Sequence, residues 1–429
     1  MNFSHRVPNA LDDNPLARAL AARRAAGRPI LDLTLSNPTQ AGLAYPNTEI
    51  AEALAEGARQ PYEPTPRGLA SARVAIANYY AAQHVDYPEA QSVDPSRLHL
   101  TASTSEAYSL LFKLLGDPGA EILAPAPSYP LIEHLAALDG WIAKSYPLEY
   151  VDDRDATKRV LPEERRAEGS AHYPQDILAF KSCWRINFEA LAAAITPATR
   201  ALAVIHPHNP TGWLMRGSET AHALLDLCAQ HGLALIADEV FLDYPAPEYR
   251  ACARSFAVHE VSALTFTLGG LSKSCGLPHL KLGWIHVGGP PAFVAQAQAR
   301  LDFIADAYLS VGTPVQAAAG RLLEIGGGLR AQIAARVEEN FSTLTTLEWP
   351  AGFQILPREA GWCALLRRPP ATDEELLARQ LLDRAGVLAH PGYFFDFPDA
   401  GWHVISLLPE PKLFRAAVGA LREWLPKLV

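Results

Sequence analysis

The sequence is poor in cysteine and contains no long apolar run. Its five cysteines are odd in number and include no Cys-x-x-Cys pair; they are Cys183, Cys228, Cys252, Cys275 and Cys363. This pattern argues against a disulfide framework or a zinc site, so we expect no metal and a reduced, cytoplasmic setting. No apolar segment reaches the about 18 residues of a membrane-spanning helix, and the N-terminal residues lack the apolar stretch of a signal peptide.

Positive charge is also in short supply. Lysine and arginine together number 37 against 46 acidic residues, which gives a net charge of −9. No basic run interleaved with aromatic residues occurs, so binding to nucleic acid, which relies on cations facing phosphates, is disfavoured. Only eight of the 37 cations are lysines. A lysine in an apolar, glycine-rich segment therefore needs an explanation, either simple exposure or chemistry.

The chain has enough apolar residues to bury a large core. Hydrophobic residues make up 49% and charged residues 19% of its 429 residues, a composition typical of a globular chain with two or three domains. Apolar runs of strand length alternate with helical patterns, and the predicted strands are 98–101, 121–124, 201–205, 233–237, 263–268 and 282–287. This alternation indicates a three-layer α/β domain whose mostly parallel sheet is covered on both faces.

A second, smaller α/β domain is predicted towards the C-terminus. Helical segments beyond about residue 314 lead to a strand at 362–366, a helix at 374–385 and a strand at 403–408. We therefore predict a large domain at 46–313 and a small domain formed by 1–45 and 314–429. The charged stretch 150–175 lacks apolar periodicity and is interpreted as a surface excursion.

Polar clusters follow four of the predicted strands at the carboxyl end, where ligands bind in open parallel sheets. The first consists of Ser103, Thr104 and Ser105, which precede a helix predicted at 107–115. Hydroxyl groups and free N–H groups at a helix N-terminus can bind phosphate. Together with Glu106, the same residues also match a capping box, which is an ordinary way to begin a helix.

Two further clusters supply an amide and a carboxylate. Asn209 follows the strand at 201–205 and can donate a hydrogen bond to a ring oxygen, although a plain Asn-Pro turn explains it equally well. Asp238 follows the five apolar residues of 233–237. A carboxylate there is costly unless it is paired. Either a protonated pyridine nitrogen or a helix N-terminus would satisfy it.

The fourth cluster is the glycine-rich segment 269–276, which contains Lys273 and is predicted to be a loop. Glycine lets the backbone approach a ligand closely. A partly desolvated lysine has a lowered pKa and can form an imine with an aldehyde. A nucleotide-binding P-loop is not indicated, because its Gly-x-x-x-x-Gly-Lys-Ser/Thr spacing is absent.

Several motifs occur in a fixed order from about residue 31 to the C-terminus. They are Tyr62-Glu63-Pro64 with Gly68, Asp117-Pro118-Gly119, Pro127-Ser128-Tyr129-Pro130, Asn209-Pro210-Thr211-Gly212, Asp238-Glu239-Val240-Phe241, and Leu271-Ser272-Lys273 with Gly276-Leu277-Pro278. Each motif alone is weak. In this order and at these spacings, the chain resembles the class I/II aminotransferases of pyridoxal phosphate (PLP) fold type I.

The resemblance implies PLP as the cofactor and a role for each matching residue. Lys273 would form the Schiff base and carry the proton, and Asp238 would pair with the pyridine nitrogen. Asn209 would contact the ring hydroxyl. Tyr129 would stack on the ring, unless it is an ordinary core tyrosine. The residues implied in cofactor binding are Tyr62, Ser103, Thr104, Ser105, Tyr129, Asn209, Asp238, Phe241, Ser272, Lys273 and Lys281.

Phosphate binding and assembly are also implied by the resemblance. Thr104 and Ser105 would hold the phosphate. Lys281 would assist them from a position where the family usually has an arginine, and it lacks the bidentate fork of that residue. Tyr62 would reach the phosphate bound by a partner subunit, which implies a homodimer with shared active sites.

The sequence departs from the family pattern at three positions. Phe241 stands where a tyrosine commonly contacts the ring hydroxyl, and Gly270 stands where a phosphate-binding serine is expected. Val404 stands where the family has the arginine that binds the substrate α-carboxylate through its fork. Arg67 is a candidate substitute, and an exposed turn arginine is the alternative interpretation.

The sequence thus predicts a PLP-dependent aminotransferase in which Lys273 and Asp238 are catalytic. It would move an amino group between an amino acid or amine and a 2-oxo acid with ping-pong kinetics. A PLP-dependent lyase or decarboxylase is the alternative, because the cofactor pocket does not decide which bond to Cα breaks. A non-catalytic PLP-binding regulator is a further alternative, but the N-terminal segment is too short for the DNA-binding domain that such regulators carry.

Overall fold

The computed structural model of the chain describes residues 3–8, 14–85, 87, 90–151, 183–370 and 373–428. Its strands are β1 (Leu31–Asp32), β2 (Leu98–Thr101), β3 (Glu121–Ala126), β4 (Ile142–Val151), β5 (Cys183–Ile186), β6 (Thr199–Ile205), β7 (Ala234–Asp238), β8 (Thr265–Gly270), β9 (Gly283–Gly288), β10 (Gln354–Ile355), β11 (Cys363–Arg367), β12 (Val387–Leu388), β13 (His390–Pro391) and β14 (Trp402–Ser406).

Helices alternate with these strands. They are α1 (Pro15–Ala25), α2 (Asn47–Gly57), α3 (Ala70–Gln83), α4 (Thr104–Leu115), α5 (Leu131–Leu138), α6 (Phe188–Ala194), α7 (Ser218–His231), α8 (Leu271–Ser274), α9 (Pro291–Asp306), α10 (Thr313–Ala317), α11 (Ala319–Thr346), α12 (Glu374–Ala385) and α13 (Pro411–Trp424). None of the helices in the described ranges combines the length and hydropathy needed to cross a bilayer.

A mixed sheet of eight strands lies at the centre of the larger part of the molecule. Its strand order is β2-β9-β8-β7-β6-β3-β4-β5. Strands β8, β7, β6, β3 and β4 are mutually parallel, whereas β9 and β5 run the opposite way. Strand β2 pairs antiparallel with β9 and therefore runs with the majority. The predicted α/β fold with a mostly parallel sheet is confirmed.

Helices cover both faces of this sheet, because alternate residues of a strand point to opposite sides. Ala203 and Ile236 join an apolar cluster with α4 and α9 on one face. Leu202 and Leu235 join a different cluster with α7 on the other face. Strands buried on both sides explain why the sequence shows continuous apolar runs in place of alternation.

The C-terminal part contains a second, antiparallel sheet with the order β10-β11-β14-β13. The N-terminal segment joins this part, since Leu31 of β1 pairs with Val387 of β12 in a parallel bridge. Helix α1 packs against α12. The predicted division of the chain near residues 46 and 314 remains a prediction.

The end of β8 differs from the sequence-based expectation. The glycine pattern predicts a loop at 269–276, but Gly269 and Gly270 belong to β8 and Lys273 lies in the short helix α8. A Cβ atom on Gly270 would lie 3.1 Å from the Cα atom of Gly283 on β9. The glycine therefore allows two strands to pair up to their ends, and Lys273 follows directly.

The charged stretch predicted to be a surface excursion is only partly described. Tyr150 and Val151 end β4, which pairs with β3 on one side and with β5 on the other. Residues 152–175 of the stretch lie outside the described residues. The sequence pattern did not indicate β4 or β5, because the apolar and polar residues of β4 do not form a simple run.

Candidate active site

Four strands that run in the same direction end at one edge of the large sheet. Each is followed by a polar cluster singled out from the sequence: β2 by Ser103, β6 by Asn209, and β8 by Lys273, while Asp238 is the last residue of β7. Carboxyl ends of parallel strands meet at a common edge, which is the usual ligand site of such sheets. The topology thus brings these clusters to one edge of the sheet.

Lys273 is half-buried on α8, and aromatic side chains surround its amine. Its Nζ atom lies 5.3 Å from the centre of the Trp362 ring and 5.9 Å from that of Phe241. Burial lowers the pKa of Lys273, although Cys363 and the Asp238 carboxyl act in the opposite direction. A lowered pKa favours the neutral amine, which is the form that attacks an aldehyde.

The backbone around Lys273 is held by three side-chain hydrogen bonds. The hydroxyl of Tyr244 donates to the carbonyl oxygen of Lys273 at 2.6 Å. Ser274 donates to the carbonyl of Gly270 at 2.7 Å, and Arg330 donates to the carbonyl of Ser274 at 3.1 Å. These bonds keep a helix of only four residues in place and fix the direction of the lysine side chain.

Asp238 is buried, with an exposed fraction of 8%, and its carboxylate forms no salt bridge with a described residue. Its Oδ1 atom accepts one long bond, at 3.3 Å, from the backbone N–H of Val240. Burial raises the pKa of Asp238 to about 6, against smaller opposing effects of the Val240 N–H, Tyr108 and Lys273. The alternative of a helix cap is not supported, because the residues directly after Asp238 form a turn and not a helix.

Asn209 lies beside Cys363, the first residue of β11. The Cys363 thiol donates to Oδ1 of Asn209 at a sulfur–oxygen distance of 3.7 Å. Burial raises the pKa of Cys363 to about 12, so the thiol stays protonated and remains a weak donor. Since Oδ1 is engaged, the Nδ2 group of Asn209 is left to donate to a ligand.

The N-terminus of α4 is a capping box. Ser103 is the N-cap, and its Oγ atom accepts from the N–H of Glu106 at 3.2 Å. The Glu106 carboxylate in turn accepts from the N–H of Ala102 at 2.6 Å. Thr104 and Ser105 are half-buried, and their hydroxyls make no hydrogen bond to a described residue. The ordinary interpretation therefore holds for Ser103, while phosphate binding by Thr104 and Ser105 remains a prediction.

The other residues implied in cofactor binding are more exposed. Ser272 is half-buried, and Lys281 is exposed with a left-handed backbone, φ 52°. Tyr129 is 51% exposed, and its ring contacts Phe395 at 6.3 Å between centres. Tyr62 is 71% exposed and lines a surface depression with Tyr308 and Ser310. Their contacts with a cofactor remain predictions.

The two positions connected with the substrate carboxylate have clear structural roles. Val404 is 2% exposed in β14, and it belongs to an apolar cluster that also contains Trp184, Phe395, Phe397 and Trp402. Arg67 is occupied elsewhere, since its guanidinium binds both carboxylate oxygens of Asp302 at 2.7 Å. Arg67 is therefore a half-buried, ion-paired residue and not the exposed turn arginine of the alternative interpretation, and its binding of a substrate carboxylate remains a prediction.

Several residues near Lys273 or Asp238 were not identified from the sequence. They are Tyr244, Trp362 and Cys363 near Lys273, and Tyr108 near Asp238. Tyr108 could have been found, because it lies one helical turn after Thr104. The others come from distant parts of the chain, and no local pattern indicates their contact with Lys273.

Comparison with known proteins identifies the family. A family model described as "Aminotransferase class I and II" matches residues 28–183 and 171–420. The chain belongs to this aminotransferase family. An alanine aminotransferase of Mycobacterium bovis is 25% identical over 425 residues, which cover 96% of this chain and 89% of that protein. An arginine–pyruvate transaminase of Pseudomonas aeruginosa is 29% identical over 318 residues, which cover 73% and 70%.

Solved structures agree on the fold of this aminotransferase. Alanine aminotransferase from Pyrococcus furiosus superposes with a TM-score of 0.77 at 20% identity, over 99% of this chain and 100% of that one. An aspartate aminotransferase of Thermus thermophilus superposes with a TM-score of 0.72 at 22% identity, over 99% of each chain. At this level of identity the superposition shows the fold, and fold type I is confirmed.

The family uses PLP and acts on amino and oxo acids, which confirms the predicted enzyme class and cofactor. The residues at the site fit this cofactor. Among the described residues, the buried carboxylate of Asp238 has no salt-bridge partner, and the buried indole N–H of Trp362 beside Lys273 has no hydrogen-bond partner. Both groups can be satisfied by a bound aromatic ring that carries a cationic nitrogen and polar substituents.

Proposed function

We propose that this aminotransferase holds PLP as a Schiff base on Lys273 and transfers an amino group from an amino acid to a 2-oxo acid in two half-reactions. The observation that carries the proposal is the environment of Lys273: a half-buried amine beside two aromatic rings and in electrostatic contact with Asp238. When bound, PLP supplies an aldehyde and a ring that withdraws electrons from the substrate Cα.

Each residue around the site has its own proposed role in cofactor binding or proton transfer. Lys273, whose pKa is lowered by burial, would hold the cofactor through its aldehyde carbon and would carry a proton at its Nζ atom. Asp238 would hold the ring nitrogen and favour its protonated form. Asn209 donates to the ring hydroxyl through Nδ2, because the Cys363 thiol occupies its other end. Thr104, Ser105, Ser272 and Lys281 bind the phosphate, and Tyr129 covers the ring.

The acceptor is proposed to be a 2-oxo acid such as pyruvate. The names of the mycobacterial and Pseudomonas relatives, alanine aminotransferase and arginine–pyruvate transaminase, support this choice. A panel of amino donors can be scored by conversion of bound PLP to pyridoxamine phosphate, followed by regeneration with pyruvate. Release of ammonia in place of pyridoxamine phosphate would contradict amino transfer.

The active unit is proposed to be a homodimer. Tyr62 is 71% exposed, Phe303 is 82% exposed and Tyr308 is 54% exposed. Large aromatic side chains left in water are typical of an interface. Sedimentation of the purified protein tests this point, and a monomer at micromolar concentration with full activity would contradict it.

Borohydride trapping tests the central assignment. Wild-type protein with PLP should show an absorbance band near the visible edge, and borohydride should fix the cofactor to a peptide that contains Lys273. Lys273→Ala should lose the adduct. Lys427→Ala is the matched control, because Lys427 is exposed and pairs with Glu423 at 2.9 Å. An adduct that persists in Lys273→Ala would overturn the proposal.

A further inference from the structure

Tyr108 is a buried tyrosine whose hydroxyl has no ordinary partner. The side chain is 0% exposed, and its Oη atom makes no hydrogen bond of normal geometry to any described residue. A buried hydroxyl without a partner is costly, and a phenylalanine would fill the same space without that cost. A tyrosine at this position is therefore expected to have a polar group close to its hydroxyl.

The position of Tyr108 in the fold places it under the active site. It lies four residues after Thr104 on α4, and residues at this spacing share one face of a helix. On the neighbouring sheet, Ile236 and Asp238 of β7 point to the same side, because side chains alternate along a strand. Tyr108 and Ile236 belong to the same apolar cluster, as does Leu268, which pairs with Asp238 across the sheet.

The group that faces the Tyr108 hydroxyl is the Asp238 carboxyl. Burial raises the pKa of Tyr108 well above its ordinary value, and the nearby Asp238 carboxyl adds to this effect. The other titratable groups around Asp238 are Lys273 on α8, which acts on its pKa, and the adjacent residue Glu239. Among the described residues, the Asp238 carboxylate accepts a long bond of 3.3 Å from the Val240 N–H, which leaves lone pairs that the Tyr108 hydroxyl can reach.

We infer that Tyr108 is a positioning residue that donates a hydrogen bond to Asp238 and holds this carboxylate, in its ionised form, against the ring nitrogen of the cofactor. The inference rests on the proposed function. The two groups are neighbours, because each affects the pKa of the other and both lie on the side of the sheet that α4 covers. A hydrogen bond from a neutral hydroxyl stabilises a carboxylate more than a carboxylic acid. Tyr108 thus offsets the burial that makes Asp238 a weaker acid.

The test compares two conservative substitutions of buried tyrosines. Tyr108→Phe removes only the hydroxyl. Tyr146→Phe is the matched control, because Tyr146 is 1% exposed and its hydroxyl donates to the backbone carbonyl of Ala203 at 2.9 Å. For each protein, the dissociation constant of PLP, the pH titration of the bound-cofactor absorbance and the melting temperature of the PLP-free form are measured.

Tyr108→Phe should bind PLP roughly tenfold or more weakly, as expected for the loss of one hydrogen bond to a charged group. Its absorbance titration should shift, whereas the melting temperature of its PLP-free form should not fall. Tyr146→Phe should keep the wild-type affinity and titration. The same substitution is also made in an Asp238→Asn protein. There, the change in the logarithm of the PLP dissociation constant should be less than half of the change in the wild-type background.

Other outcomes distinguish a failure of the proposed function from a failure of the role of Tyr108. Wild-type protein that fails to bind PLP would overturn the proposed function and this inference with it. If the wild-type protein binds PLP, and Tyr108→Phe binds it within twofold of the same affinity and with the same titration, only the role of Tyr108 is overturned. An equal loss of affinity in the wild-type and Asp238→Asn backgrounds would also overturn it.

Discussion

The guanidinium of Arg67 and the carboxylate of Asp302 form a bidentate ion pair. The distances are 2.7 Å from Nε to Oδ1 and 2.7 Å from Nη2 to Oδ2. His99 contacts the same carboxylate through Nε2 at 2.8 Å. Although burial alone would raise it, the pKa of Asp302 is lowered by the hydrogen bonds from His99 and Arg67. The pair connects the turn after Tyr62 to helix α9.

Arg67→Ala is therefore expected to affect stability more than catalysis. The loss should be on the order of 1 kcal/mol, because the pair is bidentate but partly exposed to solvent. Urea denaturation and steady-state kinetics measure the two effects separately. Arg97→Ala is the control, since Arg97 only approaches Asp94 at 4.0 Å on the surface. A selective rise in KM for carboxylate substrates at unchanged stability would show that Arg67 binds substrate.

Val404→Arg, which restores the residue usual in the family, is expected to destabilise the protein and not to improve substrate binding. Val404 is 2% exposed among apolar and aromatic side chains. A larger, charged side chain would be buried there without a partner, at a cost of roughly 2 kcal/mol or more. Thermal melting measures the loss, and Val404→Ile serves as an uncharged control for size. A stable Val404→Arg variant with lower KM for an amino acid would contradict this expectation.

Gly270→Ser, which also restores a family residue, is expected to lower stability without strengthening the binding of PLP. The new Cβ atom would lie 3.1 Å from both the Cα of Gly283 and the carbonyl oxygen of Leu282. Strands β8 and β9 would have to separate, which costs about 1–3 kcal/mol. Gly328→Ala is the control, because no atom lies within 4 Å of its added Cβ. Tighter PLP binding at unchanged melting temperature would show that the site accommodates the serine.

The raised pKa of Glu239 predicts that the stability of the protein depends on pH. Burial raises its pKa from 4.5 to about 8, although Ser255 and the Phe256 N–H donate to its carboxylate. Between these two values the folded state holds a proton that the unfolded state has lost. Stability from this group is therefore complete below about pH 4.5 and is lost as the pH rises towards 8.

Glu239→Gln mimics the protonated side chain and should remove much of this dependence. The wild-type protein should lose up to about 1.4 kcal/mol per pH unit from this group across the window. Melting curves of the PLP-free proteins at pH 5.5 and at pH 8.0 measure the difference, with pH values chosen inside that window. If Glu239→Gln loses as much stability as wild type between the two, the proton on Glu239 is not responsible.

Much of the large sheet could be predicted because its strands are buried on both faces. Residues 98–101 form β2 as expected, and the predicted helix at 374–385 is α12. The boundaries of the other predicted strands differ from the observed ones by one or two residues, because the apolar pattern stops at small or polar residues. Asp238, for example, belongs to β7. Strands β10, β12 and β13 have two residues each, and they are strands only because they pair with β11, β1 and β14. No local signal is strong enough to predict such elements.

By itself, the amino-acid sequence determined the layered fold, the order of the motifs and the types of group available at the strand ends, because these depend on local apolar runs and on residue chemistry. The tertiary structure decided which groups meet. It placed Trp362 and Cys363 beside Lys273, paired Arg67 with Asp302, and buried Val404 in an apolar cluster. Those contacts join residues far apart in the chain, and they arise only when the two sheets pack and exclude water from the space between them.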